Sequence, residues 1–275
     1  MAETHEPHPP PAGGPDSGGI TYDPYAHPGL FHTLEPIIAK KDSSGAILHD
    51  ETGHVVYLVP PAIVAMLLTA LLLGIVARLG TRRLQRTPKP GLQMAMEMAY
   101  GWFAHLCRQI IGPDSERFVP FVGSLFIFIL CMNWLGVVPG MLAPTANLNV
   151  TAGLALTVFV ATQVYGLRTH GLRYFGHFTE GPWPLWIFIV PIHIVGELAR
   201  PLSLSFRLFG NIFGEDTAIG VFIILGAAVL KAIYLPLPLH LPMVAFALFG
   251  GFVQALIFAT LTAVYIGGAV RTHES

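Results

Sequence analysis

Between Trp183 and Leu230 the sequence is almost continuously apolar, yet it carries Glu197, Arg200, Arg207, Asn211, Glu215 and Asp216. A charged side chain at the centre of a bilayer costs from ~2.5 to more than ~10 kcal/mol, depending on how it is measured. Carboxylates and guanidinium groups in such a stretch therefore face protein or water, and the chemistry open to them is movement of protons or ions. Glu197 and Arg200 lie three residues apart on a helix and can neutralise one another. Arg207 has no such neighbour, since the acids that follow it, Glu215 and Asp216, come more than two helical turns later.

At ~100° per residue, Arg200 and Gly214 fall within about 20° of Arg207, Asn211 within about 40° and Gly210 within about 60°. Asp216 falls on the opposite side, rotated by about 180°. One face thus holds a guanidinium among small residues, which let another helix approach closely. Arginine stays protonated in a protein. The pattern is a permanent positive charge aimed at a partner and a titratable group aimed elsewhere.

The elements that must position these groups are membrane helices. Of 275 residues, 53% are hydrophobic and only 11% charged, against about 25% charged in soluble domains. A bilayer core ~30 Å thick needs ~20 apolar residues as helix. The pattern predicts spans over about 55–79, 119–142, 150–167, 183–230 and 241–270, with an amphipathic helix over about 91–111 lying on the membrane surface. The expected fold is therefore an all-α integral membrane protein with about five crossings. Residues 51–275 form the membrane domain, which ends in two long helices joined by the proline-rich turn "KAIYLPLPLHLP". These helices are too long to cross upright and should tilt.

Residues 1–50, with "EPHPPPAGGPDSGG", read as a largely disordered extracytoplasmic tail with one short helix near Leu34–Lys40. The tail lacks the basic start and apolar run of a signal peptide. Five crossings put the termini on opposite sides. Ten basic residues, among them Arg78, Arg82, Arg108, Arg168 and Arg271, then share one side, while only Lys40, Lys41 and Lys231 share the other. Basic residues accumulate in cytoplasmic loops, which places the N-terminus outside and the C-terminus in the cytoplasm.

Three segments carry a family resemblance. "RPLSLSFRLFGN" at 200–211 resembles the signature [KR]-P-x-S-L-x-x-R-L-F-G-N of ATP synthase subunit a. "APTANLNVTAGLAL" at 143–156 resembles the turn Pro-Thr/Ser-Ala-Asp-x-Asn-Val-Thr of that family, and "QALIFATLTAVY" at 254–265 resembles its final helix. The resemblance covers roughly residues 50–270 and leaves the tail outside.

The resemblance implies roles residue by residue. Arg207 matches the arginine that faces the c-ring carboxylates, Asn211 the asparagine four residues on, and Gln254 the final-helix glutamine beside the arginine. Tyr265 closes that last motif. Asp216 matches the position nine after the arginine, where relatives carry Glu or His. Glu215 matches an acidic position of the plastid-type pattern. Some members place a His seven residues before the glutamine, where this chain has Ala247. The outer half-channel is then expected to use Glu215, Asp216 and His240. Glu197, His193 and Ser203 are candidates for the inner one.

The implied function is a proton-conducting stator subunit whose two offset half-channels couple proton flow to c-ring rotation and ATP synthesis. It is not an enzyme by itself. The implied partners are the c-ring, which the terminal hairpin faces, the peripheral stalk subunit b and the lipid bilayer, most naturally a bacterial inner membrane.

No cofactor or metal is expected. Cys107 and Cys131 lack metal-ligand spacing, and no basic patch with interleaved aromatics suggests nucleic acid. A stand-alone transporter would call for internal repeats, and none is visible. A haem protein would call for paired histidines at matching depth, whereas His193 and His240 fall near opposite ends of different helices.

Overall fold

The computed structural model describes residues 60–81, 91–138, 141, 143–171, 174, 186–233 and 241–271. The tail, the short helix near Leu34–Lys40, most of the basic loop after Thr81 and His240 lie outside the described residues. Among the described residues six α-helices follow one another: α1 Pro61–Thr81, α2 Leu92–Ile110, α3 Val119–Leu135, α4 Leu148–His170, α5 Trp186–Ile233 and α6 Leu241–Arg271. Short 3-10 turns at Pro113–Phe118 and Pro144–Ala146 precede α3 and α4. There is no strand among the described residues. Five helical stretches, those of α1, α3, α4, α5 and α6, are long and apolar enough to cross a membrane.

The helix ends follow from local chemistry. Pro61 opens α1, where its missing N–H costs nothing and its fixed φ suits the first turn. Asn147 caps α4 by accepting a 2.9 Å hydrogen bond from the Asn149 backbone N–H. Gly171, at φ 60°, ends the same helix in a conformation that a side chain would strain. Arg78, Arg108, Arg168 and Arg271 all stand in last turns, where a cation offsets the negative end of the helix dipole.

The core forms where α6 packs against α3, α4 and α5. Ala255, Ala259 and Ala263 of α6 are fully buried at intervals of four, beside Phe258 and Ile266. Such small residues permit close helix approach. From α3 they meet Val119, Val122, Ile129 and Met132, and from α5 Leu204 and Leu208. The amphipathic α2 buries Phe103 and Cys107 in this core and leaves Met98, Tyr100 and Trp102 exposed. Burial pushes the Cys107 thiol above its ordinary value.

The apolar run after Val119 extends to Leu142 in sequence, but α3 ends at Leu135. The chain then folds back. Ala143 lies so close to Gly136 that a Cβ there would come within 2.5 Å of the alanine methyl. This return places Thr145 Oγ1 2.8 Å from Asn133 Oδ1, to which it donates. Asn133 Nδ2 in turn donates to the Gly251 carbonyl of α6 at 3.0 Å, and Trp134 Nε1 donates to the Leu248 carbonyl at 3.0 Å. Two consecutive α3 residues thus hold one turn of α6. Asn133→Leu leaves the buried Thr145 hydroxyl without its acceptor and should cost about 1–3 kcal/mol. Thermal unfolding of the protein in detergent micelles should show the loss, and an unchanged transition would mean that the node contributes nothing.

Candidate functional site

The 48 residues of α5 form one helix with Pro191 and Pro201 inside it. Its buried stripe includes Leu204, Ser205, Leu208, Ile212 and Glu215, at the three- and four-residue spacing of a helix face. Ser205 is tied to α4 by a 3.2 Å hydrogen bond with Thr151, hydroxyl to hydroxyl. The other side is open. Ser203, Arg207, Gly210, Asn211 and Gly214 are exposed, and a Cβ added at Gly210 or Gly214 would meet nothing within 4 Å. Arg207 makes no ion pair or hydrogen bond to any described residue. The guanidinium among small residues that the sequence pattern describes therefore stands on a bare helix face.

Arg200 behaves differently. Helical rotation places it on the same stripe as Arg207, but its Nη1 donates to Glu197 Oε1 at 2.9 Å. Its guanidinium carbon also sits 5.6 Å from the Tyr265 ring of α6. The second Glu197 oxygen accepts from Gln163 Nε2 of α4 at 3.4 Å. Glu197, Arg200, Tyr265, Thr162 and Leu204 line one small cleft between α4, α5 and α6. Tyr174, packed on Gly166, extends the group, and Gln163 hydrogen-bonds to it. Burial pushes the Tyr174 phenol above its ordinary value, and Glu197 adds to the rise. Arg200 and the Gln163 hydrogen bond oppose it. His193 is half-buried one turn before Glu197 on α5 and has interactions of its own.

The two later acids part company. Glu215 is buried and faces α6, where its carboxylate lies against Gly250. Asp216 is half-buried on the adjoining face. Neither makes a hydrogen bond or ion pair with a described residue. Gln254 stands one turn beyond Gly250. It is 2% exposed, and its Nε2 is buried without a hydrogen-bond partner. Arg207 and Gln254 are therefore not hydrogen-bonded to one another, although the resemblance sets them side by side. Ala247 is buried where some relatives carry a histidine.

The sequence pattern of the ATP synthase A chain family matches residues 63–267. The chain belongs to that family.

The chain is 42% identical over 207 residues to ATP synthase subunit a 1 of Syntrophotalea carbinolica, covering 75% of this chain and 84% of the relative. It is 38% identical over 212 residues to ATP synthase subunit a of Protochlamydia amoebophila, covering 74% and 78%. It is 39% identical over 206 residues to the subunit a of Gloeobacter violaceus, covering 71% and 78%. Membership makes the chain a multi-pass membrane subunit concerned with proton transport, and a non-catalytic one.

Sequence reasoning missed Gln163, Tyr174, Asn133 and Gly250. Asn133 carried a signal, being an amide in an otherwise clean apolar span. Gly250 carried one too, as half of a Gly-Gly pair in the last span, whereas Gln163 carried none, since its significance is the neighbour it meets. The Glu197–Arg200 pair is partly solvated, with side chains 17% and 43% exposed, so its coupling should be modest. A double-mutant cycle with Glu197→Gln and Arg200→Gln, read by thermal unfolding in detergent, should give about 0.5–1 kcal/mol. A value several times larger would mean that the cleft excludes water.

Proposed function

We propose that the chain is the stator half of a rotary proton channel, and that Arg207 is the group that couples proton flow to rotation of a c-ring. The observation that carries this reading is a guanidinium with no partner among the described residues, on an open helix face lined by Gly210, Asn211 and Gly214. A face of small residues is shaped for another helix, and a fixed cation on it selects a helix that bears a carboxylate. At ~4 Å and an effective dielectric constant near 20, the attraction is about 4 kcal/mol. In lipid an isolated carboxylate must be neutral. Opposite Arg207 it is stable as an anion.

A ring carboxylate therefore loses its proton on arriving at Arg207 and must regain one before it returns to lipid. Two aqueous half-channels, offset around Arg207, turn that requirement into directed rotation. Each charge moved through 100 mV supplies about 2.3 kcal/mol. The same guanidinium repels protons and so blocks a direct leak between the half-channels.

Glu215, about 80° round α5 from Arg207, and Asp216, on the opposite side, are the proton-transfer groups of the outer half-channel, with His240 as a further member. Gln254 and Asn211 flank the arginine. Glu197, with Tyr265, His193 and Ser203, serves the inner half-channel, and the polar connection from Tyr174 through Gln163 to Glu197 supports that assignment.

At ~1.5 Å per residue, α5 and α6 are ~72 and ~46 Å long, both beyond the ~30 Å hydrocarbon core. They form the tilted hairpin that lies against the c-ring, while α2 lies along the membrane surface. A peripheral stalk subunit b holds the chain against the torque of the ring. The N-terminus is outside and the C-terminus in the cytoplasm of a bacterial inner membrane, an orientation that the distribution of basic residues supports. Cysteines introduced at 81–90 and near the C-terminus should react only with a reagent supplied from the cytoplasmic side. Labelling of both from outside would reverse the orientation.

Arg207→Ala should leave the complex assembled, because the side chain is exposed and makes no hydrogen bond or ion pair with a described residue. It should abolish proton-driven ATP synthesis and open a passive proton leak. Both are measured in membrane vesicles, with assembly checked by co-purification of the c-ring. An assembled variant that still makes ATP at an appreciable rate would overturn the proposal.

A further inference from the structure

Glu215 is buried in the contact between α5 and α6, yet no described residue donates a hydrogen bond to it or pairs with it. A buried carboxylate is normally held by donors. Here shape does the holding. A Cβ built on Gly250 would overlap Glu215 Oε1 and stand 3.0 Å from Cδ and 3.4 Å from Oε2. The carboxylate therefore occupies the space that a side chain at 250 would fill.

Gly251, the neighbouring glycine, has a different neighbour. A Cβ there would come within 3.1 Å of Asn133 Cβ on α3. The pair of glycines thus serves two contacts, one for a helix and one for a functional group. The turn that carries both is held to α3 by the bonds from Asn133 and Trp134, so the position of Gly250 is determined independently of Glu215.

We propose that Gly250 is a positioning residue for proton transfer, the seat that sets where the Glu215 carboxylate stands between α5 and α6. With no donor to either oxygen among the described residues, both remain free to exchange a proton with water or a neighbouring acid. The inference rests on the assignment of Glu215 to the outer half-channel. The atom displaced by a methyl at 250 is the far end of a flexible side chain rather than backbone. Gly250→Ala should therefore spare assembly and re-aim the carboxylate.

The test uses the assembled complex in inverted membrane vesicles, with ATP-driven acidification followed by a pH-sensitive dye. Glu215→Gln checks the assignment of the acid. Gly250→Ala should slow pumping by up to about a hundredfold, the order of loss expected when a reacting group is misplaced by about an ångström. Glu215→Asp shortens the acid by one methylene, so Gly250→Ala combined with Glu215→Asp should pump at the rate of Glu215→Asp alone. Gly251→Ala disturbs the α3 contact instead, and Glu215→Asp should not rescue it.

Full pumping by Glu215→Gln would remove the assignment of the acid, and the seat with it. Slow pumping by Glu215→Gln with full pumping by Gly250→Ala would overturn the seat alone. So would a Gly250→Ala defect that Glu215→Asp leaves unchanged. Where Glu215→Asp no longer pumps, or Gly250→Ala fails to assemble, the same cycle is read from the melting temperature or assembled yield of the complex. Coupling between 215 and 250 supports the seat, and its absence overturns it.

Discussion

Hydrocarbon offers a backbone amide or a charged side chain no partner. Every unsatisfied polar group there costs several kcal/mol. That constraint explains why the five long apolar segments are helical, with backbone hydrogen bonds closed inside each segment. It also explains where polar side chains stand. Threonines 69, 162 and 262 each donate to a carbonyl four residues back in their own helix. Asn133 and Thr145 satisfy one another and the Gly251 carbonyl. Against that background, Arg207, Glu215 and Gln254 Nε2 stand out as polar groups that no described residue satisfies.

The second organising feature is α6. Its alanines at 255, 259 and 263 let α3, α4 and α5 close around it. Bulkier residues at this spacing would push the bundle apart and open the contact in which Glu215 is buried. The C-terminal end of the helix is fastened as well. Arg271 Nε donates to the Ile111 carbonyl at 2.7 Å, and His170 Nε2 lies 2.7 Å from the Val270 carbonyl. The helix that bears Gln254 is thus anchored at both ends, by Asn133 and Trp134 near its start and by α2 and α4 at its finish. By contrast, α5 leaves the face that carries Arg207, Gly210, Asn211 and Gly214 exposed.

The organisation of the bundle was largely legible in the sequence. Apolar runs long enough to cross a bilayer located five of the helices, and mixed polarity located α2. Boundaries were less so. Apolar composition beyond Leu135 reads as more helix, while the chain turns back because Gly136 admits Ala143 and Asn133 offers Thr145 an acceptor. That contact joins residues twelve apart, and no periodicity within one helix encodes it.

By itself the sequence determined the membrane class, the family and which residue types lie within reach of proton chemistry, because hydrophobicity, length and a twelve-residue motif are properties of one chain segment at a time. It also placed Arg207 opposite Asp216, since helical rotation is fixed by residue number. Tertiary structure alone decided the surroundings. It turned Arg200 onto Glu197 and Tyr265 although rotation aligns it with Arg207. It buried Glu215 against Gly250, left Asp216 half-buried beside it, and brought Gln163 of α4 to Glu197 of α5. The physical reason is that these neighbours come from different helices. Their register depends on which small residues let the helices close and at what height, and that is settled only when all the helices pack together.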